Sequence, residues 1–579
     1  MAKKVDIYTG GFDAQYGGRI SSVMDITYRD GNTKKFSGKV SASPFMAKAV
    51  LEGPFSKPKS GPGGVSYIFS LKQSLIDQTS KTLYPTINRD EDGNSDGMPF
   101  NFTDAYGKIT FKGNGRSKVS AFGFHNNDRV KYDIADIHWK QSGGGINFLL
   151  VPSSSPIFVR GHINGSSFAT TFDEAISETD TVKRSSSVGG FDLGFDFTYF
   201  MKDESELNYG INLGGFNTNF TTFNEENRKI VLTDWTTEIG AYFNYRFVST
   251  RWVIQPSLRA QYYASFPTFS PEPRLGIKFN ATEKFRVKAS GGRYSQNFTS
   301  ASSDKDVVNL FNGILSAPTN VQETFVTQYQ NEKSPENGIQ YAWHAIGGVE
   351  YDFTKKISLN VEAYYKYFSQ LSNINQNKLY DDLPQFNNID DIYKKDFILE
   401  NGESYGVDVL VKHSGKRLFL WGVYSLGFSN RWDGFQFYNP VFDRRHNVNL
   451  VGTYLFGENK DLEVSVRWNL GSGLPFTPTA GFYQEENFSG GVTTDYTTTN
   501  PSYVSTILGK FNSERLPYYH RLDISVKKQF KFKNETVMEI VGSVTNAYNR
   551  KNIFYINRVT SETIYQFPIL PSLGLSYKW

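Results

Sequence analysis

Apolar and polar residues alternate with a period of two from one end of this chain to the other, and nothing else in the sequence narrows the fold as far. In ISLNVEAYYKYF, 357–368, Leu359, Val361, Ala363, Tyr365 and Tyr367 fall on one face, and Asn360, Glu362, Tyr364 and Lys366 on the other. DLEVSVRWNLG, 461–471, sets Leu462, Val464, Val466, Trp468 and Leu470 against Glu463, Ser465, Arg467 and Asn469. HRLDISVKKQF and the terminal PSLGLSYKW repeat the pattern. Such alternation reads as strands with one apolar and one polar face. From Phe36 onward it gives twenty-two runs. Helical periodicity is nearly absent; Asp304–Leu315, DKDVVNLFNGIL, is the one segment that reads as a helix.

The connections carry the second constraint. Every second one is short and turn-like, as in GNGRS, PSSSP, KDES, ATEK, GENKD and KFKNE. Those between are mostly long and polar, the longest spanning about 298–338, 370–402 and 473–518. Two connections break the rule: SKPKSGPGG is long for a turn, and Ser43–Met46 is short for a loop. This parity predicts antiparallel neighbours with turns at one end and loops at the other, the pattern of a transmembrane β-barrel. An even strand count puts both barrel ends of the chain on the turn side. Soluble propellers and sandwiches do not impose that parity, and no repeat of 40–50 residues is visible. No run of 18 apolar residues occurs, which excludes a helical membrane protein. Aromatics make up 16% of the chain, and Phe200, Phe247, Phe353, Phe456 and Phe532 precede short turns while Tyr577 and Trp579 close the last strand. Rings at strand ends predict an interfacial girdle.

Candidate chemistry is sparse. Cysteine is absent, so no disulfide, thiol nucleophile or zinc ribbon forms. The seven histidines show no metal-binding helix spacing, and no HExxH, GxSxG or P-loop occurs. The sequence reads as a non-enzyme with no cofactor. A net charge of +4 without a basic block gives no nucleic-acid footprint. The loop NRDEDGNSDG offers Asp90, Asp92 and Asp96 as a weak calcium candidate, although its spacing is not that of an EF-hand and a solvated acidic loop is the favoured reading. YDDLPQFNNIDDIY, 380–393, is a second acidic, aromatic outer loop. Asn360, Glu362, Arg467, Asn469, Asp523 and Lys527 are expected to face the lumen.

The opening stretch, VDIYTGGFDAQYGGRISSVMDITYRDGN, reads as two short strands joined by a glycine-rich turn containing Tyr16, Gly17, Gly18 and Arg19. It resembles the end of the plug domain of TonB-dependent outer-membrane receptors. Further pieces resemble that family in order: LEGPF, PFNFTDAYGKITF, SYGVDVLVK, RRHNVNL, LPYYHRLDISV and VTNAYNRKN. The likeness is greatest to the large Bacteroidota-type members. It implies an all-β fold, a 22-stranded antiparallel barrel at 35–579 with a short plug remnant at 1–34. It also implies a multi-pass protein of a Gram-negative outer membrane that imports a nutrient, with membrane lipid and, given a TonB box, the TonB system as partners. A surface lipoprotein or another outer-membrane protein is a further candidate partner.

An intact member of that family carries more than a hundred further plug residues, a TonB box and a signal peptide before this point. The chain is therefore expected to be a piece of a longer receptor. The alternative is a naturally plugless relative acting as scaffold or conduit in a larger outer-membrane complex. Val5–Tyr28 is expected inside the barrel, poorly ordered, with an exposed backbone edge and a largely open lumen. Tyr577 and Trp579 are expected to pair the last strand with the first and, by the resemblance, to serve the insertion machinery.

Overall fold

In the computed structural model the described residues are 2–56, 63–87, 95–113, 115–175, 181–223, 229–302, 306–335, 337–485 and 503–579. Twenty-two strands form one closed antiparallel barrel. In chain order they are β1 (Ser37–Ala42), β2 (Met46–Ser56), β3 (Gly64–Ser74), β4 (Phe100–Lys112), β5 (Lys118–Lys131), β6 (Ala135–Leu150), β7 (Ile157–Ala175), β8 (Thr181–Phe200), β9 (Glu206–Phe223), β10 (Lys229–Val248) and β11 (Trp252–Tyr263). The wall continues with β12 (Thr268–Asn280), β13 (Phe285–Gln296), β14 (Gln340–Thr354), β15 (Ile357–Ile374), β16 (Phe397–Ser414), β17 (Leu418–Trp432), β18 (His446–Phe456), β19 (Leu462–Gly471), β20 (Tyr519–Lys531), β21 (Val537–Thr545) and β22 (Leu570–Lys578). Phe437–Tyr438 pairs only with the outer end of β17. The barrel closes where Lys39, Val40, Ser41 and Ala42 meet Lys578, Tyr577, Ser576 and Leu575. Gly38 and Trp579 add reciprocal backbone bonds of 3.2 and 3.1 Å. Closure removes every free sheet edge from the lipid, where unpaired backbone groups are not tolerated.

Residues in register on antiparallel neighbours share a face, so one luminal contact orients the whole wall. Lys366 reaches luminal backbone, and its register partner Ser404 and then Ser429 face inward with it. The same face passes through Ser425 and Asn447, Asn449 and Asn469, and Arg467 and Asp523. The opposite face carries Leu420, Leu450, Val466, Val526, Leu573 and Leu575, all exposed to the exterior. An apolar outer face on a closed barrel is a lipid-facing surface, and the chain is a multi-pass barrel of the outer-membrane type.

The girdle forms at the turn side. Phe247, Phe353, Phe456, Phe532 and Tyr577 are all exposed, and Tyr577 stacks on Trp579, which also meets Phe36. Phe200 departs from this arrangement. It shares the inward parity of Asp196 and Thr198 and packs on Phe158, with ring centroids 4.8 Å apart, while neighbouring Tyr199 takes the outward position.

Strands β6 to β10 run for 16, 19, 20, 18 and 20 residues. A bilayer needs about 9–11 residues per tilted strand, so these project well beyond it. By alternation alone β5, β7 and β15 end near 126, 169 and 369, and β10 and β16 begin near 234 and 403. The structure extends each at its outer end. Above the membrane neither face meets lipid, so the period-two signal fades while pairing continues.

Among the described residues of 304–315 the expected helix does not form. These residues contain a short strand, Asn312–Leu315, paired with Thr299–Ser302. Phe311 and Leu315 sink into an apolar cluster with Phe172, Phe220 and Phe397, so burial by the outer rim fixes this segment rather than a helical stripe. The α-helix found among the described residues, Ile76–Leu83, lies in the loop after β3. Because β1 is six residues long, the rim is low at the closure, and this loop fills the notch. Ile76, Tyr84 and Met98 cluster with Leu570 of β22, and the Tyr84 hydroxyl donates to the Pro571 carbonyl.

Candidate functional site

The first residues build a feature inside the barrel. Ala2–Tyr8 pairs antiparallel with Val23–Tyr28, joining Val5 to Ile26 and Tyr8 to Val23. These strands stay exposed, with Ile7 64% and Met24 61% accessible. The connecting turn is instead held tightly, contrary to the expectation of poor order: Phe12, Ala14 and Ile20 are buried.

The anchors come from β10 to β15. A turn held off the sheet leaves carbonyls without ladder partners, and in a buried place these need donors. Arg274 donates through Nη1 to the carbonyls of Phe12, Asp13 and Tyr16 at 3.4, 2.5 and 2.7 Å. Arg259 Nη1 serves Ala14 and Gln15 at 3.2 and 3.4 Å. Lys366 Nζ ties the two limbs of the turn together, donating to Thr9 and Ser21 at 2.5 and 3.1 Å. His344 Nε2 meets the Ile20 carbonyl at 2.9 Å, and Gln296 accepts from the Ile20 amide at 3.2 Å. Asp13 accepts from Asn244 and Gln255, each at 3.3 Å. Glu272 balances Arg274 at 2.6 Å, both side chains being buried. Arginine suits this task because its five fixed donors can serve several carbonyls at once.

The turn residues singled out in the sequence lie here. The backbone at Gly17 runs against Arg259, where a Cβ would sit 1.9 Å from the guanidinium Nε. Gly18 adopts a left-handed φ of 65° that glycine accepts without strain. Tyr16 donates to Asp25 at 3.1 Å. Arg19 rises from the turn with its guanidinium 5.2 Å from the Phe298 ring centre.

The stretch from Arg29 to Phe36 fastens the hairpin to the wall. Arg29 grips Glu52 with two bonds of 2.5 and 2.9 Å, and Glu52 also accepts from the Asn32 amide at 3.0 Å. Asp30 pairs with Lys108 at 2.8 Å and Lys118 at 3.0 Å. Burial alone would raise the Asp30 carboxyl, but the hydrogen bonds from these lysines outweigh it and hold the group down to about 2.

Above the turn lies a chamber of about 1300 Å³, lined by Phe124, Trp139, Phe168, Phe216, Phe298 and Phe442 and by amides such as Gln141, Asn164 and Asn447. Its charged lining groups are Arg19, Asp192 and Arg444. Below the turn a second cavity of about 790 Å³ is strongly charged, with Lys278, Lys288, Glu362, Lys366 and Asp408. The chamber's rim is braced by ion pairs on the buried carboxylates of Asp306, Glu400 and Asp443. Arg184 meets Asp306 at 2.8 Å and Glu174 at 3.0 Å, with its guanidinium 4.3 Å from the Phe172 ring centre. Glu400 meets Arg431 at 3.1 Å, and Asp443 takes both Arg445 and Arg515 at 2.9 and 2.5 Å. These contacts tie outer loops to strand ends, so the chamber is preformed.

Of the residues expected to face the lumen, Asn360 donates to Glu362 at 3.3 Å and Glu362 pairs with Lys288. Asn469 bonds Asn449, Asp523 pairs with Arg521 at 2.9 Å, and Lys527 with Glu463 at 2.9 Å. Arg467 shares their face and is exposed. These residues lie along the wall and are not gathered into one site. Asp90 and Asp92 lie outside the described residues, and Asp96 is exposed. Among the described residues no group of three or more His, Asp or Glu side chains could hold a metal ion. Sequence reasoning missed Arg259, Arg274, His344 and Glu272 and gave Lys366 no role. The available signal was a charged or imidazole side chain at an inward position in the middle of several consecutive strands.

No protein-family model matches the chain, and no curated protein matches it in sequence. Solved structures match over nearly its whole length. The outer membrane transporter YddB from Escherichia coli is 10% identical with a TM-score of 0.60, covering 99% of this chain and 84% of that one. The FrpB iron transporter from Neisseria meningitidis is 12% identical with a TM-score of 0.64, covering 100% and 87%. The ferripyoverdine receptor of the outer membrane of Pseudomonas aeruginosa is 9% identical with a TM-score of 0.64, covering 99% and 76%. At these identities the likeness is one of fold.

Proposed function

We propose that this chain is the barrel of a TonB-dependent-type receptor in a Gram-negative outer membrane, importing a nutrient captured in the upper chamber. One observation carries the reading. A preformed aromatic chamber opens on the loop side, and its floor is a separate luminal turn held by Arg259, Arg274, His344 and Lys366 through backbone carbonyls. A passive pore has no need of such a floor. Held by side-chain hydrogen bonds from the wall rather than by the barrel's own strand ladder, it is a part that a mechanical pull can displace. On this reading residues 1–34 are the end of a plug domain, residues 35–579 are the conduit, and the TonB system supplies the pull. The barrel itself performs no covalent chemistry. Its work is to bind, to hold the floor and to release it.

The fold relatives point the same way. Their names describe an outer membrane transporter, an iron transporter and a ferripyoverdine receptor. The test is nutrient depletion by cells that carry or lack the gene, with and without a protonophore. Selective loss of one solute's uptake, abolished by the protonophore, is the expected result. Unchanged depletion of every solute, with the barrel recovered in a stoichiometric outer-membrane assembly, would replace this reading with the scaffold or conduit alternative.

A further inference from the structure

Most of the arginines that brace the loops and hold the turn have carboxylates: Arg184 with Asp306, Arg274 with Glu272, Arg431 with Glu400, and Arg445 and Arg515 with Asp443, while Arg259 is met by the side-chain oxygens of Gln261 and Asn212. The two that line the upper chamber are not paired in this way. Arg19 donates to the carbonyl of its neighbour Gly18 at 2.5 Å and faces the Phe298 ring, and its charge also acts on the buried Glu238 carboxyl without forming an ion pair with it. Arg444 follows Asp443 directly in sequence, yet Asp443 is taken by Arg445 and Arg515, and Arg444 turns into the chamber with the Tyr519 ring centre 6.0 Å away. Neither forms an ion pair with a described residue. The third charged group, Asp192, is engaged by His162. The rest of the polar lining is amide and hydroxyl.

A guanidinium without a carboxylate, set beside aromatic faces in a partly enclosed space, is matched by a planar oxyanion that accepts two parallel hydrogen bonds. The aromatic walls favour a ligand with apolar or ring faces, and the neutral amides between them favour hydroxyl or amide groups. Arg19 sits on the floor and Arg444 in the loop segment just before β18. We infer that the chamber binds a carboxylate-bearing organic ligand, with Arg19 and Arg444 as its anion-holding groups. The inference deepens the proposed function and rests on it only for the ligand's role as cargo. Because Arg19 belongs to the turn, the ligand touches the movable floor as well as the loop segment that carries Arg444.

The experiment is single-channel block of the 579-residue chain in planar bilayers. Two matched pairs are added from the loop side: trigalacturonic acid against maltotriose, and acetyl-Ala-Phe-Ala as free acid against its amide. The acid of at least one pair blocks at a concentration roughly tenfold or more below its neutral partner. The pair that discriminates identifies the carrier as sugar acid or peptide. The double variant Arg19→Gln/Arg444→Gln loses the discrimination. Lys48→Gln, which removes a luminal cation that does not line the chamber, keeps it and so controls for bulk charge. Neither arginine forms an ion pair, and the unblocked conductance of the double variant verifies the barrel. Equal block by acid and neutral forms in both pairs, or discrimination that survives in the double variant, overturns the inference. Block needs no energised uptake. A failure of the import reading therefore shows in the depletion assay and leaves this result standing.

Discussion

Replacing Arg274 with Met tests the claim that side chains of the wall hold the luminal turn. The change removes three hydrogen bonds to turn carbonyls and strands Glu272, whose side chain is fully buried. Breaking a buried ion pair by removing one partner costs about 3–5 kcal/mol. The carbonyls add to that cost for as long as the turn stays in place, since orphaned buried acceptors cost about 1–3 kcal/mol each. Release of the turn brings water to Glu272 and to the carbonyls, so most of the penalty falls on the anchored state and not on the barrel. Taking 3–5 kcal/mol alone, the release equilibrium shifts by between about a hundredfold and a few thousandfold. Hydrogen–deuterium exchange of the purified barrel reads this directly. Peptides spanning residues 9–22 should lose protection by that factor, while β17 to β20 keep theirs. Lys366→Met, which unties the two limbs without stranding a carboxylate, should give a smaller loss in the same peptides. If residues 9–22 exchange as in the parent, or if protection is lost evenly around the barrel, the anchoring argument fails.

Gly17→Ala should also loosen the turn, because its Cβ would overlap Arg259; exchange of residues 14–18 should rise with little change elsewhere. Val466→Arg, in the middle of β19 on the lipid face, should lower barrel stability by about 2–4 kcal/mol in denaturant titration, whereas Arg467→Val beside it should not. Deleting Tyr577–Trp579 removes two of the four register pairs of the closing seam and the reciprocal bonds to Gly38, and heat-resistant folded barrel in membrane fractions should fall sharply. Asp30 has a folded pKa lowered to about 2, so its contribution is complete above its ordinary value of about 4 and is lost as pH falls through about 2. Lys108→Ala should move that loss upward toward pH 4, read by the mobility of a spin label at position 33.

Strand number and antiparallel order were legible in the sequence, as was the division into two faces where the alternation is strict. Lipid outside and water inside impose opposite demands on alternate residues, and that demand is local, so Val361 and Glu362, or Val466 and Arg467, declare their faces without reference to any neighbour. The girdle was legible for the same reason, and Phe200 misled because ring position was read without parity. Above the membrane the local demand ends. The outer ends of β7 and β15 and the segment 304–315 take their form from contacts among distant rim residues, such as Phe172, Phe220, Phe311 and Phe397, and no period in the chain encodes those. The anchoring of the luminal turn belongs to the tertiary structure as well. Arg274 and Lys366 lie more than 250 and 340 positions from the carbonyls they serve, and only barrel closure brings them within hydrogen-bonding reach. In sequence each is one more polar residue on an inward face. Which inward residues hold the turn and which face open lumen depends on where the opening stretch crosses the lumen, and that is settled by the three-dimensional meeting of its carbonyls with the donors of β10 to β15.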